Sequence, residues 1–187
     1  MRHYATADPH FGHKNIIEYC ERPFETLEEM NSTIIKNFNE ILKPDDMIYC
    51  IGDWCFKNSP GGKEGEGVPH KAFWYLDQLN GIWILFKGNH DRNNSMKTKL
   101  ISGVVEFGRQ KFWLTHNPKD ANPNYAINLV GHVHEAWKIR RLTDKSIMYN
   151  VGVDVHSFRP VSFEDILTDI QRWKKDEHRK LQKTKKG

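Results

Sequence analysis

The sequence predicts an α/β protein whose functional residues gather at the carboxyl ends of its strands. Three observations carry this reading. Five short runs rich in Ile, Val, Tyr, Phe and Trp recur along the chain, each run ends in residues that turn the backbone or bind metals, and amphipathic segments of helical spacing lie between them. Composition agrees, since 38% of residues are hydrophobic and 13 of the 187 are glycine, proportions that exclude a disordered or collagen-like chain. The length suits one domain over 1–187.

The first run, residues 3–7, precedes Asp8 and His10. Residues 47–51 lead to Gly52 and Asp53, residues 82–87 to Gly88 and Asn89, residues 111–115 to His116, and residues 127–130 to Gly131 and His132. None alternates cleanly between apolar and polar, as expected of sheets covered on both faces. Open α/β sheets place ligands at such strand ends.

Between the first two runs, Thr26-Leu27-Glu28-Glu29 forms a capping box, with Met30, Ile34, Ile35, Phe38 and Ile41 following at helical spacing until Lys43 and Pro44. A second helix is expected over 69–80, with Phe73, Leu76 and Leu79 on one side and a stop at Gly81. Residues 57–67 hold four glycines and read as a flexible loop beside Asp53. Residues 136–142 and 146–151 read as a hairpin around Thr143 and Asp144, and Ser162-Phe163-Glu164-Asp165 opens a last amphipathic helix.

The formal charge of +4 is unevenly placed. Eight lysines and arginines against Asp176 and Glu177 give +6 over 172–187, which leaves residues 1–171 at −2. A nucleic-acid contact through this tail is conceivable, although such a block is more often a solvated helix end. Cys20, Cys50 and Cys55 are too few for a four-thiolate zinc site and odd in number, which favours a reducing compartment. With no signal-peptide pattern and no apolar run near about 18 residues, a cytoplasmic location away from membranes is expected.

Asp8-Pro9-His10 places a carboxylate and an imidazole, and His132-Val133-His134 two imidazoles, at i and i+2, which share a side in an extended segment. With Asp53, Asn89 and His116 they make seven candidate ligands on one expected sheet edge. The mixture of carboxylate, amide and imidazole suits Mn²⁺, Fe, Zn²⁺ or Ni²⁺. Seven is too many for one ion and suits two that share a bridge.

The ordered set Asp8-x-His10, Gly52-Asp53, Gly88-Asn89-His90-Asp91, His116 and Gly131-His132-Val133-His134 resembles the calcineurin-like metallophosphoesterases. The string from Asp8 to Ile17 is similar to their small, cap-less members in bacteria and phages. The resemblance implies an αββα sandwich of two mixed sheets flanked by helices. It also implies two divalent ions, Mn²⁺ first among them. Asp8, His10, Asp53 and His134 would hold one ion, and Asp53, Asn89, His116 and His132 the other, with Asp53 as the bridge. Two divalent ions, two aspartates and a bridging hydroxide would leave +1, which attracts an anionic ester, and the hydroxide would attack phosphorus.

In the same resemblance His90 lies on the leaving-group side, where it would protonate the departing alkoxide or stabilise charge on the phosphoryl group, with Asp91 orienting its imidazole. His13 would touch a substrate phosphate or cap the following helix, and Arg92 could hold phosphate through two N–H groups. Asp154 and His156 depart from the family's closing pattern and receive no role.

The expected activity is metal-dependent hydrolysis of phosphate diesters. A small diester such as a cyclic nucleotide is favoured because the chain has no room for a large cap. A phosphomonoesterase or a nuclease could use the same ligands. Outside enzymes, the alternative is a nucleic-acid-binding module with a structural metal site. The natural substrate and the oligomeric state stay open at the level of sequence.

Overall fold

The computed structural model describes residues 1–56, 68, 70–93 and 96–184. Its strands are β1 (His3–Thr6), β2 (Met47–Ile51), β3 (Ile82–Phe86), β4 (Ser102–Phe107), β5 (Gln110–Thr115), β6 (Ile127–Val130), β7 (Ile139–Thr143), β8 (Ser146–Asn150) and β9 (Val161–Ser162). They form two mixed sheets, ordered β3-β2-β1-β9 and β4-β5-β6-β8-β7. Helices α1 (Ile16–Tyr19), α2 (Leu27–Asn39), α3 (Ala72–Asp77) and α4 (Phe163–Thr184) flank them.

Parallel pairing sets where the loops leave the sheets. β1, β2 and β3 run in the same direction, with Thr6 opposite Cys50 and Ile51 opposite Phe86, so the loops bearing Asp8, Asp53 and Asn89 emerge side by side. In the second sheet β5 and β6 are also parallel, with Leu114 opposite Leu129, which releases His116 and His132 together. The ligands therefore come from two sheets rather than from the single edge expected from sequence. The sheets meet at this end, where Ala7 N–H donates to Val151 O at 3.0 Å and Val153 N–H donates to Ala7 O at 3.0 Å. A Cβ on Gly131 would lie 2.7 Å from Ala7 Cβ, so only glycine permits this approach.

Alternate residues of the first sheet serve two cores. Ala5, Tyr49, Ile51 and Phe86 pack between the sheets against Phe112, Leu114, Leu129 and Tyr149. Tyr4, Ile48 and Cys50 face outward onto Leu27, Met30, Ile34 and Phe38 of α2, with Trp54 and Tyr75 alongside. Burial on both faces explains the continuous apolar runs.

The α2 cap differs slightly from the expected box. Thr26 Oγ1 accepts from Glu29 N–H at 3.1 Å, but the Glu29 carboxylate reaches back to Glu25 N–H at 2.8 Å rather than to the cap residue itself. The second helix is shorter than expected, covering only Ala72–Asp77. Its core contacts are Ala72 and Tyr75, while Phe73 is 48% exposed. The glycine-rich segment 57–67 and Pro69 lie outside the described residues. Strand β4 was not apparent in the sequence because it is an edge strand with a glycine at 103 and an exposed Val104.

Ser162 caps α4 by accepting from Asp165 N–H at 3.0 Å. Phe163, Ile166 and Ile170 of α4 enter the core between the sheets, and Tyr149 O–H donates to Asp169 at 2.7 Å. Trp173 is the last α4 residue packed against this core, and the Arg141 guanidinium lies 5.3 Å from its ring. Packing thus ends one residue inside the basic segment. No helix among the described residues is long and apolar enough to cross a membrane.

Phe163→Ala should destabilise the fold by about 3–5 kcal/mol, the usual cost of emptying a buried aromatic site. Removing residues 174–187 should cost less than about 1 kcal/mol, because the pair between Arg141 and Glu177 is a surface one. Chemical denaturation of both variants checks the contrast.

Candidate metal centre

The loops that carry the ligands leave extended geometry immediately after their strands. Asp8, His10, Asp53, His132 and His134 all have left-handed backbone, with φ of 57°, 51°, 53°, 72° and 46°. Such conformations cost on the order of 1–3 kcal/mol each and persist only where the surroundings impose them. The 8–10 and 132–134 pairs therefore stand on left-handed backbone, not in the extended segments expected from their spacing. Asp8 N–H donates to Gly52 O and His10 N–H to Asp53 O, both at 3.1 Å, while His132 N–H donates to Asp8 Oδ2 at 2.9 Å. Gly52 has φ +88°, and a Cβ there would collide with the His116 ring.

These turns bring all seven candidate ligands together. Asp8, His10 and His134 offer ligand atoms within 4.8 Å of one another, as do Asp53, His116 and His132. Asp53 lies between the two groups, its Oδ2 3.5 Å from His10 Nε2 and 3.2 Å from His116 Nε2. Asn89 Oδ1 joins the second group, 3.0 Å from His116 Nε2. The His116 Nδ1–H donates to Ile51 O at 2.9 Å, which leaves Nε2 facing the ligands.

Electrostatics test whether ions fit here. Asp8, His10 and Asp53 are at most 1% exposed. Asp8 Oδ1 and His10 Nε2 are two of only three buried side-chain polar atoms without a hydrogen-bond partner among the described residues. Burial raises the Asp8 carboxyl to about 6, and burial together with the charges of Arg22 and neighbouring imidazoles drives His10 well below its ordinary value. Buried carboxylates and lone pairs of this kind call for a cation. Divalent ions shared through Asp53 fit the donor set.

The uncharacterized protein MJ1445 of Methanocaldococcus jannaschii is 33% identical to this chain over 178 residues, covering 91% of this chain and 92% of its own. The two proteins belong to one family. The two mixed sheets flanked by helices agree with the sandwich expected from the motif order. AQ665 of Aquifex aeolicus, a protein of unknown function, shares the fold with a TM-score of 0.66 over 89% of this chain and 98% of its own, at 22% identity. The Gene 66 protein of Mycobacterium phage L5 is 30% identical over 93 residues, 50% of this chain and 41% of its own. No family profile matches the chain.

Around this candidate metal centre three expected roles change or lie out of view. The Asp91 carboxylate accepts from the backbone N–H groups of Asp53 (2.8 Å), Trp54 (3.0 Å) and Gly88 (2.8 Å). It buttresses the bridging loop, a correction to its expected role of orienting His90. His13 is 7% exposed, stacks on Phe56 at 4.2 Å and has Nδ1 3.2 Å from His10 Nδ1. Its side chain does not cap α1, whose N-terminal N–H is satisfied by the His13 backbone carbonyl, but stands beside His10. The Arg92 side chain lies outside the described residues.

Two participants were missed. Asp154 Oδ2 accepts from His134 Nδ1–H at 3.0 Å, and buried Arg22 pairs with the same carboxylate. Cys20, His134 and Asp154 also lie within ligand distance of one another, but Asp154 is already occupied by these two bonds. No sequence motif signals the Arg22 contact, because its partner is 132 residues away.

Burial opposes charge on His116 and His134, yet the hydrogen bonds to Asp53 and Asp154 and the field of Asp8 override it, holding the rings at about 9 and about 10. Their protonation stabilises the metal-free fold fully below about pH 6.5, the unfolded value, and that contribution disappears as pH rises through 9 and 10. The denaturation midpoint of metal-free protein should therefore fall from pH 6.5 to 10. Saturating metal, which displaces these protons, should flatten the profile. A metal-free midpoint that holds steady across the window would contradict the assignment. Asp53→Asn should weaken both metal equivalents together, as read by calorimetric titration.

Proposed function

We propose that this chain is a metal-dependent hydrolase of phosphate esters that prefers small diesters. Two divalent ions, one held by Asp8, His10, Asp53 and His134 and one by Asp53, Asn89, His116 and His132, would supply an activated water and positive charge against the phosphoryl oxygens. The observation that favours a diester is a pair of cavities flanking this centre. One, of about 560 Å³, opens beside His13, Tyr19, Phe56, His90 and His134. The other, of about 280 Å³, opens beside Lys87, Asn89, Thr115 and His116.

A phosphodiester carries an organic arm on each of two oxygens, and two cavities give each arm a place. A monoester would use only one. The same argument favours an open-chain diester over the cyclic nucleotide expected from sequence, whose two ester oxygens belong to a single ribose.

His90 lines the larger cavity. Its backbone N–H donates to Asp53 Oδ1 at 2.8 Å, and its ring centroid lies 5.1 Å from that of His10. The Asp53 carboxylate thus anchors the main chain while the imidazole lines the larger cavity, where the departing arm would lie. An imidazole N–H there can donate its proton to the leaving oxygen.

His90→Ala should retain two metal equivalents and lose at least about 10²-fold in kcat on an alkyl diester, the lower end of typical general acid–base effects. The loss should shrink for a nitrophenolate leaving group, which needs little protonation. Unchanged turnover of alkyl esters would remove the role from His90. Comparing bis(4-nitrophenyl) phosphate, 4-nitrophenyl phosphate, a dinucleotide and a cyclic nucleotide with Mn²⁺ tests the substrate class. Faster turnover of the monoester would overturn the diester preference.

A further inference from the structure

Arg22 is a buried cation with an unusually complete set of partners. Its Nε donates to Asp154 Oδ1 at 2.8 Å and its Nη2 to Asp154 Oδ2 at 3.0 Å. Nη2 also donates to Asp8 O at 2.8 Å and Nη1 to Pro9 O at 3.1 Å. The guanidinium side chain is 0% exposed and the Asp154 side chain 4%. A planar fork of fixed donors can satisfy a carboxylate and two carbonyls together, which a lysine ammonium matches poorly.

The partners of this pair share a location. Asp8 and Pro9 lie in the turn that presents Asp8 and His10, and Asp154 takes the Nδ1–H of His134 at 3.0 Å. Asp154 itself is anchored beside β1, since the neighbouring Val153 N–H donates to Ala7 O at 3.0 Å. The backbone at Asp8, His10 and His134 is left-handed and must be held. Among the described residues the side chains of Arg22 and Asp154 make no hydrogen bond to Asp53, Asn89, His116 or His132.

We propose that the Arg22–Asp154 pair is a positioning device for one metal position alone, the one formed by Asp8, His10 and His134. Arg22 fixes the backbone at Asp8 and Pro9 through their carbonyls. Asp154 occupies His134 Nδ1 and so leaves Nε2 as the ligand atom, as carboxylate partners of metal-binding histidines do. The second position has a brace of its own that involves neither Arg22 nor Asp154, Ile51 O on His116. The two positions can therefore be separated by mutation outside the ligand set. The inference rests on the ligand assignment and not on ester hydrolysis, so metal binding tests it even if the proposed substrate class fails.

Asp154→Asn keeps the shape of the side chain, but its amide can present an N–H to His134 Nδ1 and so favour the wrong tautomer. Calorimetric titration with Mn²⁺ should show one equivalent at wild-type affinity and the other weakened about 10–100-fold. The electron paramagnetic resonance spectrum at one added equivalent should be that of an isolated Mn²⁺ ion, with the coupled-pair signal appearing only at high metal. Arg22→Lys, which keeps the buried charge, should give the same selective loss in smaller measure. If Asp154→Asn unfolds on its own, the double variant Arg22→Met with Asp154→Leu leaves no stranded charge, and the same titration on it decides. Two equivalents at wild-type affinity, or both weakened in parallel in a folded variant, would overturn the proposal.

Discussion

Asp8 and Asp53 put two carboxylates where the two sheets meet, at a point almost closed to water. Burial penalises their charge, and each is compensated by the other groups gathered there: backbone N–H groups from neighbouring loops, imidazoles, and the ions that the donor set accommodates. Their placement also constrains the fold around them. The loops must bring N–H groups to those oxygens, and glycine must stand wherever a side chain would displace them. A Cβ on Gly131 would lie 2.7 Å from Asp8 Oδ2, and one on Gly88 would collide with Asp53.

The parallel strands make this arrangement possible at modest entropic cost, since the register that pairs β1 with β2 and β3 already sets Asp8, Asp53 and Asn89 near one another. What register cannot supply is direction. That comes from the left-handed turns, which fall on Asp and His, residue types that enter this region more readily than most. Packing, backbone geometry and charge thus act on the same few residues, and strain is concentrated where the structure can hold it.

Much of this was legible in the chain. Strands buried on both faces must be continuously apolar, so β2 and β6 could be read to the residue, and the ligand types stood out because they followed such runs. The edge strand β4 carried no such signature, because one of its sides meets solvent and its pairing depends on β5 alone. Asp91 was misread for a related reason. Adjacency suggested His90 as its partner, whereas the carboxylate bonds the backbone 36–38 residues earlier, a contact only the fold creates. Arg22 and Asp154 were hidden in the same way, since neither belongs to a motif and their chemistry exists only once the segment after α1 meets the turn after β8.

The two halves of the centre are built on different principles. Around Asp8, His10 and His134 the support is ionic and enclosed, with Arg22 and Asp154 sealed beneath the ligands. Around Asp53, Asn89, His116 and His132 it is largely backbone, from Ile51 O and the amide that Asp53 accepts from His90, and both Asn89 and His132 are exposed. An enclosed half held by charge keeps its geometry when solvent and ligands exchange nearby. The half held by main-chain bonds can remain open to the cavities without losing its shape, because those bonds do not depend on what fills the space beside them.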